Sequence, residues 1–185
     1  MKTMFAALAF SLLLVGCSTQ VDDYKETSPK FELDRYFDGK VIAWGMIQDY
    51  SDKVTRRFCV EMTGNWQDVE GGKSGVLDEF FYYDDGEQDR RIWKLNKSAD
   101  GIYTGSAGDV NGEASGEAIG FAFNWKYNLE VSIDDSEYTF ALDDWMYQLD
   151  EYRLMNKTAM KKFGVTVAEI TIFFDKEQPL RSCKK

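Results

Sequence analysis

Residues 101–123, GIYTGSAGDVNGEASGEAIGFAF, carry the pattern from which the fold is read. From Gly112 onward, Gly112, Ala114, Gly116, Ala118, Gly120 and Ala122 fall on one face. Glu113, Ser115, Glu117, Ile119, Phe121 and Phe123 fall on the other. A period of two marks extended strand, in which successive side chains point to opposite faces. A strand bare on one face bends sharply or leaves room beside it, and glycine kinks let small barrels turn corners. If the bare face looks inward, the barrel has a cavity; if it looks outward, something packs closely on it. The Gly-x-x-x-Gly spacings are not a membrane-helix motif, because the segment is acidic and alternates strictly.

Outward from this stretch the alternation continues. It is clear in Val54-Arg56-Phe58-Val60-Met62, Leu77-Glu79-Phe81-Tyr83, Arg91-Trp93-Leu95, Tyr138-Phe140-Leu142 and the paired faces of 165–174. Turn signals separate the runs at Asp84-Asp85-Gly86, Ala99-Asp100-Gly101, Asn111-Gly112 and Asp134-Asp135-Ser136. Both prolines, Pro29 and Pro179, lie outside the array. The spacing predicts an all-β chain: a single antiparallel meander of about ten strands, closed into a barrel to remove its edges.

The N-terminus reads as an address. Lys2, the short apolar run Ala6 to Val15 and then Leu14-Val15-Gly16-Cys17 resemble a bacterial lipoprotein signal, cleaved before Cys17 and acylated on it. Several acyl chains anchor stably, since each buried methylene contributes about 0.8 kcal/mol. The expected organisation is a signal at 1–16, a lipidated cysteine with polar tether at 17–30, a β-barrel at 31–178 and a tail at 179–185. Ser18 after the cysteine favours the outer membrane, with the domain facing the periplasm.

Cleavage removes one lysine and leaves 169 residues with 21 basic and 32 acidic side chains, a formal charge of −11. Such a surface repels nucleic acid and anionic headgroups, so the membrane contact is expected through the lipid alone. Histidine is absent, which removes Ser-His-Asp and Cys-His catalysis and histidine zinc sites. No cofactor or metal is expected. Cys59 and Cys183 remain, and an exported compartment permits a disulfide. The reading favours instead a buried thiol at Cys59 and a free one in a loose tail at Cys183.

Gly71-Gly72-Lys73-Ser74 is a turn rather than a phosphate loop, because Gln67 stands where the first glycine is required. The acidic run Asp84 to Asp89 lacks calcium-loop spacing and reads as a solvated hairpin. Arg56, Glu79 and Arg91 share strand faces with large apolar residues. Facing inward they would be either a structural ion pair setting register or the polar end of a ligand cavity. Trp44, Trp66, Trp93, Trp125, Tyr127 and Trp145 are core by default, and an aromatic cavity wall if the barrel is hollow. Asp143 and Asp144 point to opposite faces of one strand, which makes a poor acid–base pair.

Together, Phe37-x-Gly39, Ala43-x-Gly45, Leu77-x-Glu79-x-Phe81, Arg91-x-Trp93, Tyr103-x-Gly105-x-Ala107-x-Asp109, Trp125-x-Tyr127, Asp143-Asp144-Trp145-Met146, Leu154-Met155-Asn156-Lys157 and Lys162-Phe163-Gly164 resemble the bacterial lipoproteins of the domain-of-unknown-function 3833 family. The resemblance spans about 37–174 and implies an exported lipoprotein of unestablished activity. Its members are often encoded near enzymes of cyclopropane fatty acid formation, and it brings no catalytic residues. The architecture is also similar to lipocalin-type barrels, although Gly39 and Trp44 are too far apart for their Gly-x-Trp signature.

The function expected is a non-catalytic barrel binding an apolar or amphipathic molecule, such as a lipid or acyl chain. Its cavity would be made by Gly112, Ala114 and Gly116, its walls by Trp44, Trp93, Tyr127 and Trp145, and its polar end by Arg56, Glu79 and Arg91. The alternatives are a protein-interaction lipoprotein with a solid barrel, and a carboxylate-dependent enzyme acting on lipid.

Overall fold

The computed structural model describes residues 19–133 and 136–184. The expected signal and Cys17 lie outside the described residues. Ten strands run in order: β1 Gly39–Asp49, β2 Val54–Val69, β3 Gly72–Tyr83, β4 Gln88–Ser98, β5 Ile102–Ser106, β6 Val110–Ile119, β7 Ala122–Ile133, β8 Ser136–Gln148, β9 Arg153–Lys162 and β10 Val165–Asp175. Each pairs antiparallel with its sequence neighbours, and β1 pairs with β10 to close the barrel. The meander therefore has no free edge.

Alternation fixes which residues look inward. Phe58, Val60 and Met62 of β2, Leu77 of β3, Trp93 and Leu95 of β4 and Phe123 and Trp125 of β7 form one buried cluster. Tight turns set the register. The β9–β10 turn places Phe163 (φ 50°) and Gly164 (φ 80°) both in the left-handed region, the twist that suits a two-residue hairpin. Phe163 itself is 95% exposed at this tip.

Three sequence expectations need correction. Asn111-Gly112 is not a turn between strands; it lies within β6 at a register shift against β7. The alternating small face does not run unbroken, because β6 ends at Ile119 and β7 begins at Ala122. The all-β barrel carries one small addition before β1. A short helix, α1 Leu33–Tyr36, stops one end of the barrel, with Phe31, Leu33, Tyr36 and Phe37 all buried. Gly64 admits this plug, since a Cβ there would stand 1.6 Å from the Phe37 carbonyl oxygen. Finally, Cys59 and Cys183 are disulfide-bonded, and Glu61 accepts hydrogen bonds from the Ser182 hydroxyl and the Cys183 amide. The tail is thus stitched to β2. Spacing alone could not show this, because 124 residues separate the two cysteines and closure of the barrel is what brings them together.

The plug is fastened by Asp34. Its carboxylate accepts hydrogen bonds from Lys97 Nζ (2.8 Å) and Tyr103 Oη (2.6 Å), and Lys73 Nζ lies 3.1 Å away. Burial pushes this carboxyl up, but the bonds from Lys97, Tyr103 and Lys73 more than offset it and leave it at about 2. Part of the expected polar tether is also docked. Residues Val21–Tyr24 form a 3-10 turn, and the Tyr24 ring packs outside the barrel on Phe121, Trp145 and Tyr147.

Candidate functional site

Side chains do not fill the barrel. A cavity of about 570 Å³ runs from the plug residues Leu33 and Phe37 to the opposite, open end. Its rim carries Arg56, Tyr83, Glu87, Asp89, Glu130 and Ser132. The two walls differ in chemistry. On one side β1, β2 and β10 contribute Ile47, Phe58, Val60, Ile170, Ile172 and Phe174. On the other, Glu79 of β3, Arg91 of β4, Asp109 from the β5–β6 turn, Tyr127 of β7, Asp144 of β8 and Asn156 and Thr158 of β9 form a polar wall.

A larger depression of about 950 Å³ lies outside the barrel at the plugged end. It is the seam where the N-terminal segment meets the barrel, open to solvent and lined by Lys25, Lys30, Glu32, Arg35 and Glu151 among others. The barrel cavity is the better site because it combines apolar surface with convergent polar groups.

Both cavity arginines are already engaged. Arg91 Nε donates to the two Asp109 carboxylate oxygens at 3.1 and 2.9 Å, and its Nη2 donates to Oδ2 at 2.5 Å. Burial opposes the Arg91 charge, but Tyr127, Glu79 and Asp109 around it more than compensate. Arg56 lies flat on the Tyr83 ring, 3.5 Å from its centroid, and pairs with Asp85 at 2.8 Å and with Glu87.

The remaining carboxyls are held by neutral donors. Asn156 Nδ2 donates to Asp144, and Thr158 Oγ1 donates to Asn156 Oδ1 at 3.2 Å; Asn156 and Thr158 are almost wholly buried. Burial raises the Asp144 carboxyl to about 7, with Asn156 and Thr158 drawing it down and Glu79 pushing it up. Burial likewise raises Glu79 to about 7, against the pull of the nearby Arg91 charge. Glu79 is only half-buried by its own surface, but that surface opens into the cavity and the barrel encloses it. Among the described residues, no group of three or more His, Cys, Asp or Glu is arranged to hold a metal ion.

Of the residues singled out in the sequence, Arg56, Glu79, Arg91, Trp93, Trp125 and Tyr127 line this cavity. Five do not. Trp44 faces outward with 36% of its surface exposed, and Trp145 faces outward beneath Tyr24. Gly112 is exposed in the β6 irregularity. Ala114 and Gly116 do look inward, yet they give the cavity no room. A Cβ on Gly116 would stand 2.1 Å from the Asn124 carbonyl oxygen and 2.9 Å from the Trp125 ring, so Trp125 already occupies that space. Asp143 and Asp144 diverge as alternation requires: Asp143 pairs outside with Lys161 at 2.9 Å while Asp144 faces in. Sequence reading missed Asp109, Asn156 and Thr158, whose polar side chains carried no sign of an inward face.

Residues 11–176 match the model of a family described as Protein of unknown function (DUF3833). The chain belongs to the DUF3833 family. No curated protein matches it. Among solved structures, this DUF3833 protein is similar to the S-type phycobiliprotein lyase CPES from Guillardia theta. The TM-score is 0.53 at 8% identity, over 78% of this chain and 92% of that one. At that identity the likeness shows a shared lipocalin-like barrel fold and nothing of activity.

Proposed function

We propose that this DUF3833 protein is an exported, lipid-anchored barrel that binds an apolar or amphipathic small molecule inside its walls, without catalysis. The supporting observation is the two-sided cavity. Its volume of about 570 Å³ lies within the range of small-molecule sites, roughly 300–1,000 Å³, and it is mostly apolar with a few placed polar groups. An acyl chain or similar body fits the β1–β2–β10 wall, and the Glu79–Asp144 wall takes the polar end. Acylation of Cys17 would hold the barrel at the envelope, on the outer membrane facing the periplasm. The Cys17→Ser variant should then leave the membrane fraction.

The solid barrel of the protein-interaction alternative is not what the fold contains. Catalysis by a buried carboxyl is the second reading, favoured by Glu79 and Asp144, both of which face the cavity near neutral pKa. The two readings part on product: a binding protein returns its ligand unchanged, whereas an enzyme alters it and loses that action in Glu79→Gln and Asp144→Asn.

The test is uptake of the neutral fluorophore N-phenyl-1-naphthylamine. Its emission should rise with the wild-type protein and fail to rise with Ile170→Trp, which puts an indole into the cavity from the apolar wall. Equal enhancement by a folded Ile170→Trp variant would place the probe elsewhere and defeat the reading.

A further inference from the structure

We infer that the polar end of the ligand is a cationic amine and not a carboxylate. This rests on the cavity binding an amphipathic molecule, and it follows from which charges in the cavity remain unmatched. The lining holds two arginines and no lysine, against Glu79, Glu87, Asp89, Asp109, Glu130 and Asp144. Both arginines are charge-paired: Asp109 grips Arg91, and Asp85 and Glu87 hold Arg56 through its Nη2, which leaves the Arg56 Nε at the rim without a hydrogen-bond partner. A ligand carboxylate entering this space would find no cation uncompensated in charge. The Arg56 guanidinium that carries this Nε is already shared by two carboxylates, and deeper in the head would stand beside Glu79 and Asp144. A buried charge without a partner is costly, so that head is rejected.

An ammonium meets the opposite situation. Asp144 has two oxygens with about four acceptor sites, and Asn156 Nδ2 and the neighbouring Thr158 hydroxyl fill at most two of them, so acceptor capacity remains. Glu79 projects into the same polar wall, where the Tyr127 hydroxyl and Thr158 supply further hydrogen-bonding groups. A positive head placed there pairs with carboxyls that otherwise carry an uncompensated charge or hold a proton. The rim acids Asp89 and Glu130 extend the same preference outward, so a cation is drawn along the entry path. The net charge of −10 adds to the attraction at long range.

The experiment compares three ten-carbon probes at pH 7.5: decylamine, decanoate and 1-decanol. Each displaces N-phenyl-1-naphthylamine from the purified protein, with circular dichroism recorded to show that the fold persists. Decylamine should bind at least about tenfold more tightly than either of the others, as expected for a paired over an unpaired head. Glu79→Gln with Asp144→Asn should bring decylamine down to the affinity of decanol and leave decanol unchanged. If the double variant does not fold, Asp144→Asn alone is read for the same partial loss. Ile170→Trp must abolish decylamine binding. Decanoate or decanol binding as tightly as decylamine, or decylamine surviving Ile170→Trp as surface adsorption, overturns the inference. Failure of all three probes and of the fluorophore overturns the cavity reading beneath it.

Discussion

Arg91 stands directly across the β3–β4 ladder from Glu79, yet its guanidinium is gripped by Asp109 from the β5–β6 turn. The cross-strand neighbour is thus left to burial and titrates near 7. The arrangement sets the chemistry of the polar wall, because a Glu79–Arg91 pair would have given a neutral, inert site.

Asp109→Ala should therefore hand Arg91 to Glu79. A buried ion that loses its partner costs about 3–5 kcal/mol, but the substitute partner should reduce this to about 1–2 kcal/mol. Denaturant unfolding measures the cost. The Glu79 carboxyl should titrate lower in this variant, visible by carboxyl NMR, and unchanged titration would mean that Asp109 does not control it.

The pH dependence of stability follows from the two raised carboxyls. Glu79 and Asp144 titrate at about 7 when folded, against 4.5 and 3.8 as ordinary values, so the folded state keeps protons the unfolded chain has lost. Their contribution is fully present below about pH 4 and is lost as pH rises through 7. Asp144→Asn keeps the hydrogen bond from Asn156 and removes the charge. It should be about 1–2 kcal/mol more stable than wild type at pH 8 and little changed at pH 4, by urea unfolding at each pH.

Asp34 has the opposite sign. Its folded pKa of about 2 lies below the ordinary 3.8, so its contribution is present above pH 3.8 and lost as pH falls through 2. Asp34→Ala leaves the Tyr103 hydroxyl and Lys97 without their acceptor under the plug. The expected loss is about 2–3 kcal/mol, at the lower end for a broken buried pair because Lys73 and Lys97 can reach water. Loosening of the plug should show as faster amide exchange at Phe31 and Phe37.

The disulfide should matter for stability and not for the cavity. Cys183→Ala should lower stability by about 2–4 kcal/mol and expose 176–185 to protease. Uptake of the fluorophore should be unchanged, since neither cysteine lines the cavity. Loss of uptake together with a folded barrel would contradict this separation.

The barrel was legible because alternation and turn residues are local: Phe58-Val60-Met62 and Leu77-Glu79-Phe81 each declare a face without knowing their neighbours. Arg56, Glu79, Arg91, Trp93 and Tyr127 could be placed on the cavity for that reason. The remainder depends on closure. Whether Gly116 frees space or is covered is decided by Trp125 on the next strand, and no single-strand pattern contains that. Asp109 reaches Arg91 from a turn, and Cys183 meets Cys59 only after the barrel has formed. Trp44 and Trp145 were misplaced because a large aromatic suggests a core, whereas parity sets both outward, Trp145 under a docked N-terminal segment.

The most direct test of the central claim is native mass spectrometry of the purified protein, before and after denaturation, with chemical identification of whatever is released. The account predicts a stoichiometric small molecule with an apolar body that leaves on unfolding and is absent from Ile170→Trp. A clean protein mass that stays unchanged on incubation with decylamine, fatty acids and phospholipids would contradict it.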